Sequence, residues 1–396
     1  MSTGAQPLPR RVHWPRRWVV WLVAGPVVAA GIAVGVDRAF LAGQETRSEF
    51  MQGVLDGVVS GPNRLAPGAT AYVSGPHGTW VGSAGVANVK TGEPMRSDAR
   101  MRIESNSKTW VEAVILQLLG EGKLSIDDSV DRWLPGLLRA HGSEITIREL
   151  MSDSSGLIDD NDVFASPSAA RAYLARVGDP RLKAGLLAVA ARIRANRAVQ
   201  VSPLWFIRLA AWQPLVALLG TTYHHSNIGW NIVGLIAAKA SGKPLPQLYR
   251  ERIFQPLRLR HTAYDPQGPI AGAHANGYAL AANDTLTDTT ARHLGKGADG
   301  AIVTDAKDEA RFLTAYTNGT LFDPQFLTEL GWAGNPTGCG APLVYLGSGA
   351  GNGFKSDVVY ATDGTRVTVL LLNGVRPGGS GFARSAAAAN SLYCAA

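Results

Sequence analysis

Short β-rich segments stand near both ends of this chain, and a long helical stretch separates them. Residues 70–83 contain two such runs around the turn residues 75–78, which is typical of a β-hairpin. Residues 357–372 contain two more around Asp363-Gly364, a strong hairpin signal because type I′ turns require positive φ. We therefore expect early and late strands to pair in one antiparallel sheet.

The middle of the chain has helical periodicity. Apolar residues from Trp110 to Leu119 recur at helical spacing and Gly120 ends the run, while residues 146–149 form a capping box. The predicted fold class is therefore α/β, with an antiparallel sheet flanked by helices, built from both chain ends, and an inserted α-rich lobe. The expected bounds are about 63–125 and 291–396 for the α/β lobe and about 126–290 for the α-rich lobe.

The first 36 residues have the features of an export segment. Residues 18–36 are nineteen residues without a charge, preceded by arginines and followed by Asp37. This length can span a bilayer, and the positive flank favours a cytoplasmic N-terminus. The alternative is a signal peptide that ends near Ala42, which would make the protein secreted. The predicted segments are a basic cytoplasmic tail at 1–17, one membrane helix at 18–36, a linker with a short helix at 37–62, and a folded domain outside the cell membrane at 63–396.

The charge and composition exclude several classes of protein. Hydrophobic residues make up 46% of the chain and charged residues 17%, so disorder and a coiled coil are excluded. The formal charge of +7 depends on the tail, because four of the 38 Lys+Arg precede the first acidic residue and leave 34 against 31 Asp+Glu. No basic stripe follows, so no nucleic-acid partner is expected.

The chain has two cysteines, Cys339 and Cys394. An exported chain enters an oxidising compartment, where such a pair can close. We therefore predict a disulfide that ties the C-terminus back to the domain, and a catalytic thiol is disfavoured.

Ser105 and Lys108 open the long apolar helix. Their spacing places a hydroxyl and an amine on the same helix face, one turn apart. A serine becomes a nucleophile when a neighbour takes its proton, and a lysine can do so if its pKa is lowered. The helix N-terminus also favours the negative charge that develops in such a reaction.

These residues belong to a segment that resembles a known family. Residues 101–108 and 117–124 resemble the serine β-lactamase and penicillin-binding-protein superfamily, and more narrowly class C β-lactamases and D-alanyl-D-alanine carboxypeptidases. The resemblance runs from about residue 65 to the C-terminus. It implies a β-lactamase/transpeptidase-like fold with Ser105 as nucleophile and Lys108 as base. The cysteine pair is similar to that of actinobacterial secreted members, in which it is bridged.

The second motif of this family is Tyr-x-Asn, and residues 222–230 occupy its place. His225 stands where the tyrosine belongs, and Asn227 matches the asparagine. Histidine can relay protons as the tyrosine does. Two alternatives remain: Tyr223 could reach the site through a shifted loop, or His225 could be a structural histidine in an inactive relative.

The third motif, Lys-Thr-Gly or His-x-Gly, corresponds to Gly347-Ser348-Gly349. The cationic or imidazole side chain is missing at Gly347, which weakens the recognition of a substrate carboxylate. The resemblance implies an oxyanion hole made by the backbone N–H groups of Ser105 and Ala350. Substrate contacts are expected from Ser348, Gly349 and Tyr223.

The resemblance implies an exported serine hydrolase that works through an acyl-enzyme and is related to D-alanyl-D-alanine carboxypeptidases and β-lactamases. Its substrate would be a small molecule or peptide, namely a cell-wall peptide, a β-lactam or an ester. One alternative is a carboxylesterase of the same fold, and another is a penicillin-binding-like protein that binds or regulates without turnover.

Two further segments carry expectations. The stretch 186–219 mixes arginines with large apolar side chains, which predicts amphipathic helices packed on the α-rich lobe or, alternatively, lying on a membrane surface. The acidic run 159–162 is expected to be a solvated loop. No cofactor and no metal are expected, because zinc, Walker and GxSxG motifs are missing from the sequence.

Overall fold

The computed structural model of the chain describes residues 46–396 except 165, 195–201, 267–268, 282, 292–295, 338, 341–342, 352 and 377–378. The predicted cytoplasmic tail and membrane helix, and the first part of the linker, lie outside the described residues. Within the described part of the chain, no helix combines the length and the apolar character needed to cross a bilayer.

The elements alternate between short strands and helices. The strands are β1 (Gly68–Gly75), β2 (Gly78–Asn88), β3 (Glu93–Pro94), β4 (Met101–Arg102), β5 (Ala263–Tyr264), β6 (Tyr278–Leu280), β7 (Leu286–Asp288), β8 (Ile302–Thr304), β9 (Val344–Gly351), β10 (Phe354–Ala361), β11 (Val367–Leu372) and β12 (Gly374–Val375). The helices are α1 (Arg47–Val59), α2 (Ser107–Gly120), α3 (Val130–Trp133), α4 (Ile147–Met151), α5 (Asp160–Phe164), α6 (Pro167–Ala175), α7 (Pro180–Arg194), α8 (Pro203–Ala210), α9 (Asn227–Ser241), α10 (Leu245–Tyr249), α11 (Ala306–Thr317), α12 (Gln325–Glu329) and α13 (Gly379–Cys394). A 3-10 turn at Glu104–Asn106 leads into α2, and a π-helical turn at Arg250–Phe254 follows α10.

The main sheet has six strands in the order β3-β2-β1-β11-β10-β9. Strand β1 pairs with β2 on one side and with β11 on the other, and each neighbouring pair in the sheet is antiparallel. Gly364, in the turn between β10 and β11, has φ +72, which a glycine adopts without strain. The prediction that early and late strands share one antiparallel sheet is confirmed.

The α-rich lobe differs from its prediction at one end. Helices α3 to α10 all lie within residues 126–290, but the last part of this range holds β5, β6 and β7. Strand β6 pairs in parallel with β12, and β5 pairs with β8. These partners lie outside the lobe in sequence, so local periodicity did not reveal the strands.

The stretch 186–219 contributes to α7 and α8. Leu186 and Ile207 are buried in the main apolar cluster, whereas Leu187 and Leu218 are exposed. Amphipathic helices packed on the α-rich lobe are therefore confirmed. The alternative, contact with a membrane surface, stays a prediction.

Helices cover both faces of the main sheet. On one face, α1 and α13 pack against the sheet in a cluster that contains Leu55, Leu370 and Tyr393. On the other face, α11 packs against β11, where Leu371 belongs to the larger cluster. Neighbouring leucines of β11 point to opposite faces, as the period of two in a strand requires.

A disulfide joins Cys339 to Cys394, with their Cα atoms 5.7 Å apart. Cys394 is the last residue of α13, so the bond fastens the C-terminal helix to the segment that precedes β9. The predicted pairing is confirmed.

Two carboxyl groups are buried in the core beside α2. Trp332 Nε1 donates to Glu112 Oε1 at 2.9 Å, and Trp110 Nε1 donates to Glu309 Oε2 at 3.2 Å. Burial raises the pKa of Glu112 to about 7 and the pKa of Glu309 to about 8. Both groups therefore hold a proton in the folded protein at pH values where the unfolded chain has lost it.

The stability of the fold should decrease as the pH rises through the range from about 4.5 to about 8. The pKa of each group in the folded protein lies above its pKa in the unfolded chain. The contribution of each group to the free energy of unfolding is therefore fully present below the unfolded pKa and decreases as the pH rises to the folded pKa. The decrease is at most roughly 1.4 kcal/mol per pH unit for each group. Glu309→Gln keeps a neutral acceptor for Trp110 and should flatten this dependence. Denaturant unfolding at several pH values measures it, with the exposed Glu329→Gln as control. Parallel pH curves for the wild type and Glu309→Gln would contradict this account.

Candidate active site

Ser105 lies in the 3-10 turn between β4 and α2, and strand β9 runs directly beside it. A Cβ atom added to Gly349 would lie 2.1 Å from Ile103 O and 2.9 Å from Ser105 N. The turn and the strand can approach this closely because position 349 has no side chain. The structure therefore brings Ser105 and the predicted third motif together.

Lys108 lies one turn after Ser105 and connects it to α9. Its Nζ donates to Ser105 Oγ at 2.9 Å and to Asn227 Oδ1 at 2.8 Å. Lys108 is buried, and burial lowers the pKa of its amine below the ordinary value. An amine that loses its proton more readily can accept one from the neighbouring hydroxyl.

His225 is held by Asp159, which sequence analysis did not assign to the site. His225 Nδ1 is 2.8 Å from Asp159 Oδ2, and Asp159 Oδ1 accepts from the N–H of Asn227 at 3.1 Å. Ser226 lies between the two motif residues and caps α9, accepting from Gly229 N at 3.2 Å. One carboxylate therefore fixes both the histidine ring and the residue that binds Lys108.

Tyr223, the alternative to His225, is 47% exposed. Burial of its hydroxyl, together with Asp153 and Asp159, raises the pKa of Tyr223 above its ordinary value, so the phenol stays protonated. The contacts of His225 with Asp159 give that side chain a defined place beside Asn227, and Tyr223 has no hydrogen bond within the described part of the site.

The acidic run 159–162 is not a solvated loop, and that prediction is wrong. Asp159 is 5% exposed, and Asp160 accepts from Asn227 Nδ2 at 2.9 Å. Asp162 lies 3.4 Å from the ring of His224. Asp159 is held inside, and Asp160 is partly buried, by the amide and imidazole groups of the second motif, which approach from a distant part of the sequence.

The space beside position 347 is filled from the other side of the site. A Cβ atom on Gly347 would lie 2.5 Å from Asn106 Oδ1. Asn106 Nδ2 donates to Ser356 Oγ at 2.8 Å, and this hydroxyl donates to Ile103 O at 2.6 Å. Asn106 thus occupies the space that a side chain at 347 would enter. In the sequence, the feature that could have indicated this contact was the glycine at position 347, where the family has a larger side chain.

The other residues of the third motif face different surroundings. Ser348 Oγ accepts from Lys355 Nζ of the neighbouring strand β10 at 2.8 Å. Lys355 is buried and forms an ion pair with Asp357. Ala350 lies opposite Lys355 in the strand register, and its role as an oxyanion donor stays a prediction.

A second lysine stands close to the site, and sequence analysis missed it. Lys296 Nζ is 3.5 Å from Asp299 Oδ2 and 3.8 Å from Glu104 Oε2. Burial lowers the pKa of Lys296, but these two carboxyl groups outweigh burial and raise this pKa above its ordinary value. The amine of Lys296 therefore stays charged. That positive charge adds to the effect of burial on the pKa of Lys108.

Asn231 links this charged group to the second motif. Its Nδ2 donates to Asp299 Oδ1 and to Asn227 O, at 3.0 Å each. No three His, Cys, Asp or Glu side chains of the described residues are grouped so as to hold a metal ion. The arrangement is a buried amine in contact with a hydroxyl and with Asn227, and a carboxylate that binds both Asn227 and the histidine two residues before it.

Comparison with known proteins shows a family match over most of the chain. The family model described as Beta-lactamase matches residues 48–392. The chain is 26% identical over 187 residues to an N-acetylmuramyl-L-alanine amidase of Bacillus subtilis (strain 168), covering 44% of this chain and 36% of the relative. It is 29% identical over 185 residues to Esterase EstB of Burkholderia gladioli, covering 46% of this chain and 42% of that relative. The match thus spans less than half of the length of these relatives.

The fold is also similar to solved structures. A D-amino acid amidase from Ochrobactrum anthropi SV3, complexed with L-phenylalanine amide, superposes with a TM-score of 0.69 at 19% identity, over 88% of this chain and 98% of that chain.

The reactivity of Ser105 should depend on a neutral Lys108. Labelling by a fluorophosphonate probe should become faster as the pH rises and reach its plateau below the ordinary lysine pKa of about 10.4. Lys108→Met and Lys108→Arg should both lose the labelling, because methionine has no base and arginine does not release its proton. Intact mass against time measures the rate, and rapid labelling of Lys108→Arg would exclude Lys108 as the base.

Proposed function

The chain belongs to the beta-lactamase family, and we propose that it is a serine hydrolase that works through an acyl-enzyme. The observation that carries this proposal is the contact of Lys108 Nζ with both Ser105 Oγ and Asn227 Oδ1. A buried amine in contact with a hydroxyl supplies the base that a serine nucleophile needs.

The proposed reaction has two halves. Ser105 Oγ gives its proton to Lys108 Nζ and attacks the carbonyl carbon of an ester or amide. The tetrahedral oxygen is stabilised by the N–H groups of Ser105 and Ala350, and the leaving group departs with a proton that His225 or Lys108 provides. Water then hydrolyses the acyl group from Ser105 and restores the free enzyme.

The substrate class we propose first is a cell-wall peptide that ends in D-alanyl-D-alanine, or a β-lactam. The family match supports this class, as does the relative named as an N-acetylmuramyl-L-alanine amidase. The chain would then be related to D-alanyl-D-alanine carboxypeptidases and β-lactamases, with a substrate that carries a carboxylate.

One observation favours a second candidate, a carboxylesterase of the same fold. Position 347 has no side chain to bind a carboxylate, and the contact with Asn106 leaves no room for one. A site without its cationic partner loses part of its preference for carboxylate-bearing substrates. The relative named Esterase EstB supports this candidate.

We also propose that the domain works outside the cell membrane, attached by the predicted helix 18–36 or secreted after its removal. The disulfide between Cys339 and Cys394 supports this location, because disulfides persist mainly in oxidising compartments.

The two substrate classes can be separated with matched substrates. Ser105→Ala should abolish turnover of every one of them. A peptide ending in D-alanyl-D-alanine, the same peptide as its C-terminal amide, and p-nitrophenyl esters should be compared by kcat/KM. Similar values for the peptide and its amide, with faster ester hydrolysis, would support the esterase. A preference for the free carboxylate of about tenfold or more would support the carboxypeptidase, and labelling of Ser105 without turnover of any substrate would contradict both.

His225 should matter more than Tyr223. His225→Phe removes the ring nitrogens held by Asp159 and should lower kcat by roughly 10²-fold or more, the usual contribution of general acid–base groups. Tyr223→Phe keeps the exposed ring and should change kcat by less than about threefold, because its hydroxyl stays protonated. Steady-state rates on the best ester measure both, and the reverse ranking would assign the relay to Tyr223.

A further inference from the structure

Asp159 and His225 form a contact to which the proposed reaction assigns no part in the hydrolysis of the acyl-enzyme. His225 Nδ1 lies 2.8 Å from Asp159 Oδ2. The carboxylate comes from the segment just before α5, while the histidine precedes α9, 66 positions later in the sequence. The fold therefore builds this pair from two separate parts of the chain.

The carboxylate is fixed and ionised. Burial opposes its charge, but hydrogen bonds with the side chains of His225 and Asp160 lower the pKa of Asp159 below its ordinary value. Its second oxygen, Oδ1, accepts from the N–H of Asn227 at 3.1 Å. An ionised carboxylate only accepts hydrogen bonds, so the imidazole must donate from Nδ1.

This contact decides which nitrogen of the ring is basic. In neutral His225 the proton sits on Nδ1, so Nε2 carries the free electron pair. Nε2 has no hydrogen-bond partner among the described residues, and the side chain is 33% exposed. Lys108, in contrast, is 8% exposed and engaged by Ser105 and Asn227. Water reaches the histidine more readily than the lysine.

We infer that Asp159 is a positioning residue that makes His225 the general base for hydrolysis of the acyl-enzyme, while Lys108 serves acylation. This inference rests on the proposed acyl-enzyme function. His225 Nε2 takes a proton from a water molecule while the oxygen of that water forms a bond to the carbonyl carbon of the acyl group. The bond from that carbon to Ser105 Oγ then breaks, Oγ receives the proton from His225, and the acid product leaves.

The matched experiment uses Asp159→Asn and Asp162→Asn. Asparagine at 159 keeps an oxygen that can accept from the N–H of Asn227. Its amide NH₂ can, however, donate to His225 Nδ1, which favours the tautomer with the proton on Nε2. Asp162→Asn is the control, because Asp162 lies near His224 and not His225. Asp162 Oδ2 also accepts from the N–H of Asp159 at 3.1 Å, and asparagine keeps an oxygen for that bond. His225→Gln tests the same base without touching the contact between Asp159 and Asn227.

The readout separates the two halves of the reaction with p-nitrophenyl acetate. p-Nitrophenolate is a weak base and leaves without a proton, so acylation by this substrate does not need His225 as a donor. For Asp159→Asn and His225→Gln we therefore expect the pre-steady-state burst to stay within about threefold of the wild type, while the steady-state rate falls roughly 10²-fold. The acetyl-enzyme should accumulate on Ser105, as seen by intact mass. Hydroxylamine, a strong nucleophile that needs little help from a base, should restore turnover, and Asp162→Asn should behave as the wild type.

The outcomes distinguish this inference from the function on which it rests. A wild type that shows neither a burst nor labelling of Ser105 would overturn the proposed function. If the wild type turns over, two results with Asp159→Asn would overturn the role of Asp159 and leave the proposed function intact. One is an equal slowing of the burst and of the steady state, and the other is no slowing of either. Failure of hydroxylamine to restore turnover in Asp159→Asn would overturn that role as well.

Discussion

A buried amine shared between two helices holds the candidate site together. Lys108 on α2 donates to Ser105 on its own turn and to Asn227 at the start of α9, 119 positions away. Burial keeps water from the amine and lowers the pKa of Lys108. The packing that excludes water therefore also makes the amine a better proton acceptor at neutral pH. The acids around it act in the opposite direction, and the second lysine, Lys296, balances part of their charge.

The departures from the family pattern are compensated by neighbours. Glycine at 347 removes a cationic side chain, and Asn106 uses the space to bind Ser356 of β10. Histidine at 225 replaces a tyrosine, and it comes with a carboxylate partner that a tyrosine would not need. Each altered motif residue therefore fits a local network of its own.

Much of the fold and part of the site could be predicted from sequence. Ser105 and Lys108 were predictable because they are only three positions apart in the sequence. Turn chemistry together with strand patterns predicted that both chain ends build the sheet. Asn106, Asp159 and Lys296 were not, since their roles depend on partners from distant segments: Asn106 meets Ser356 250 positions later. The acidic run was misjudged for the same reason, because nothing local shows that an imidazole and an amide will approach it.

The pairing of the first strand with the last ones also constrains how the protein acquires its shape. Gly68 donates to Asn373 Oδ1 across 305 positions of sequence, and β9, which packs against the nucleophile turn, belongs to the final hairpins. Contacts of such long separation carry a large loop-closure entropy and make folding slow. During synthesis the α-rich lobe can collapse early, but the nucleophile turn gains its neighbouring strand only after nearly the whole chain has been made. A truncated or nascent chain that ends before β9 therefore lacks the strand that packs against the turn of Ser105, whatever the state of its helices.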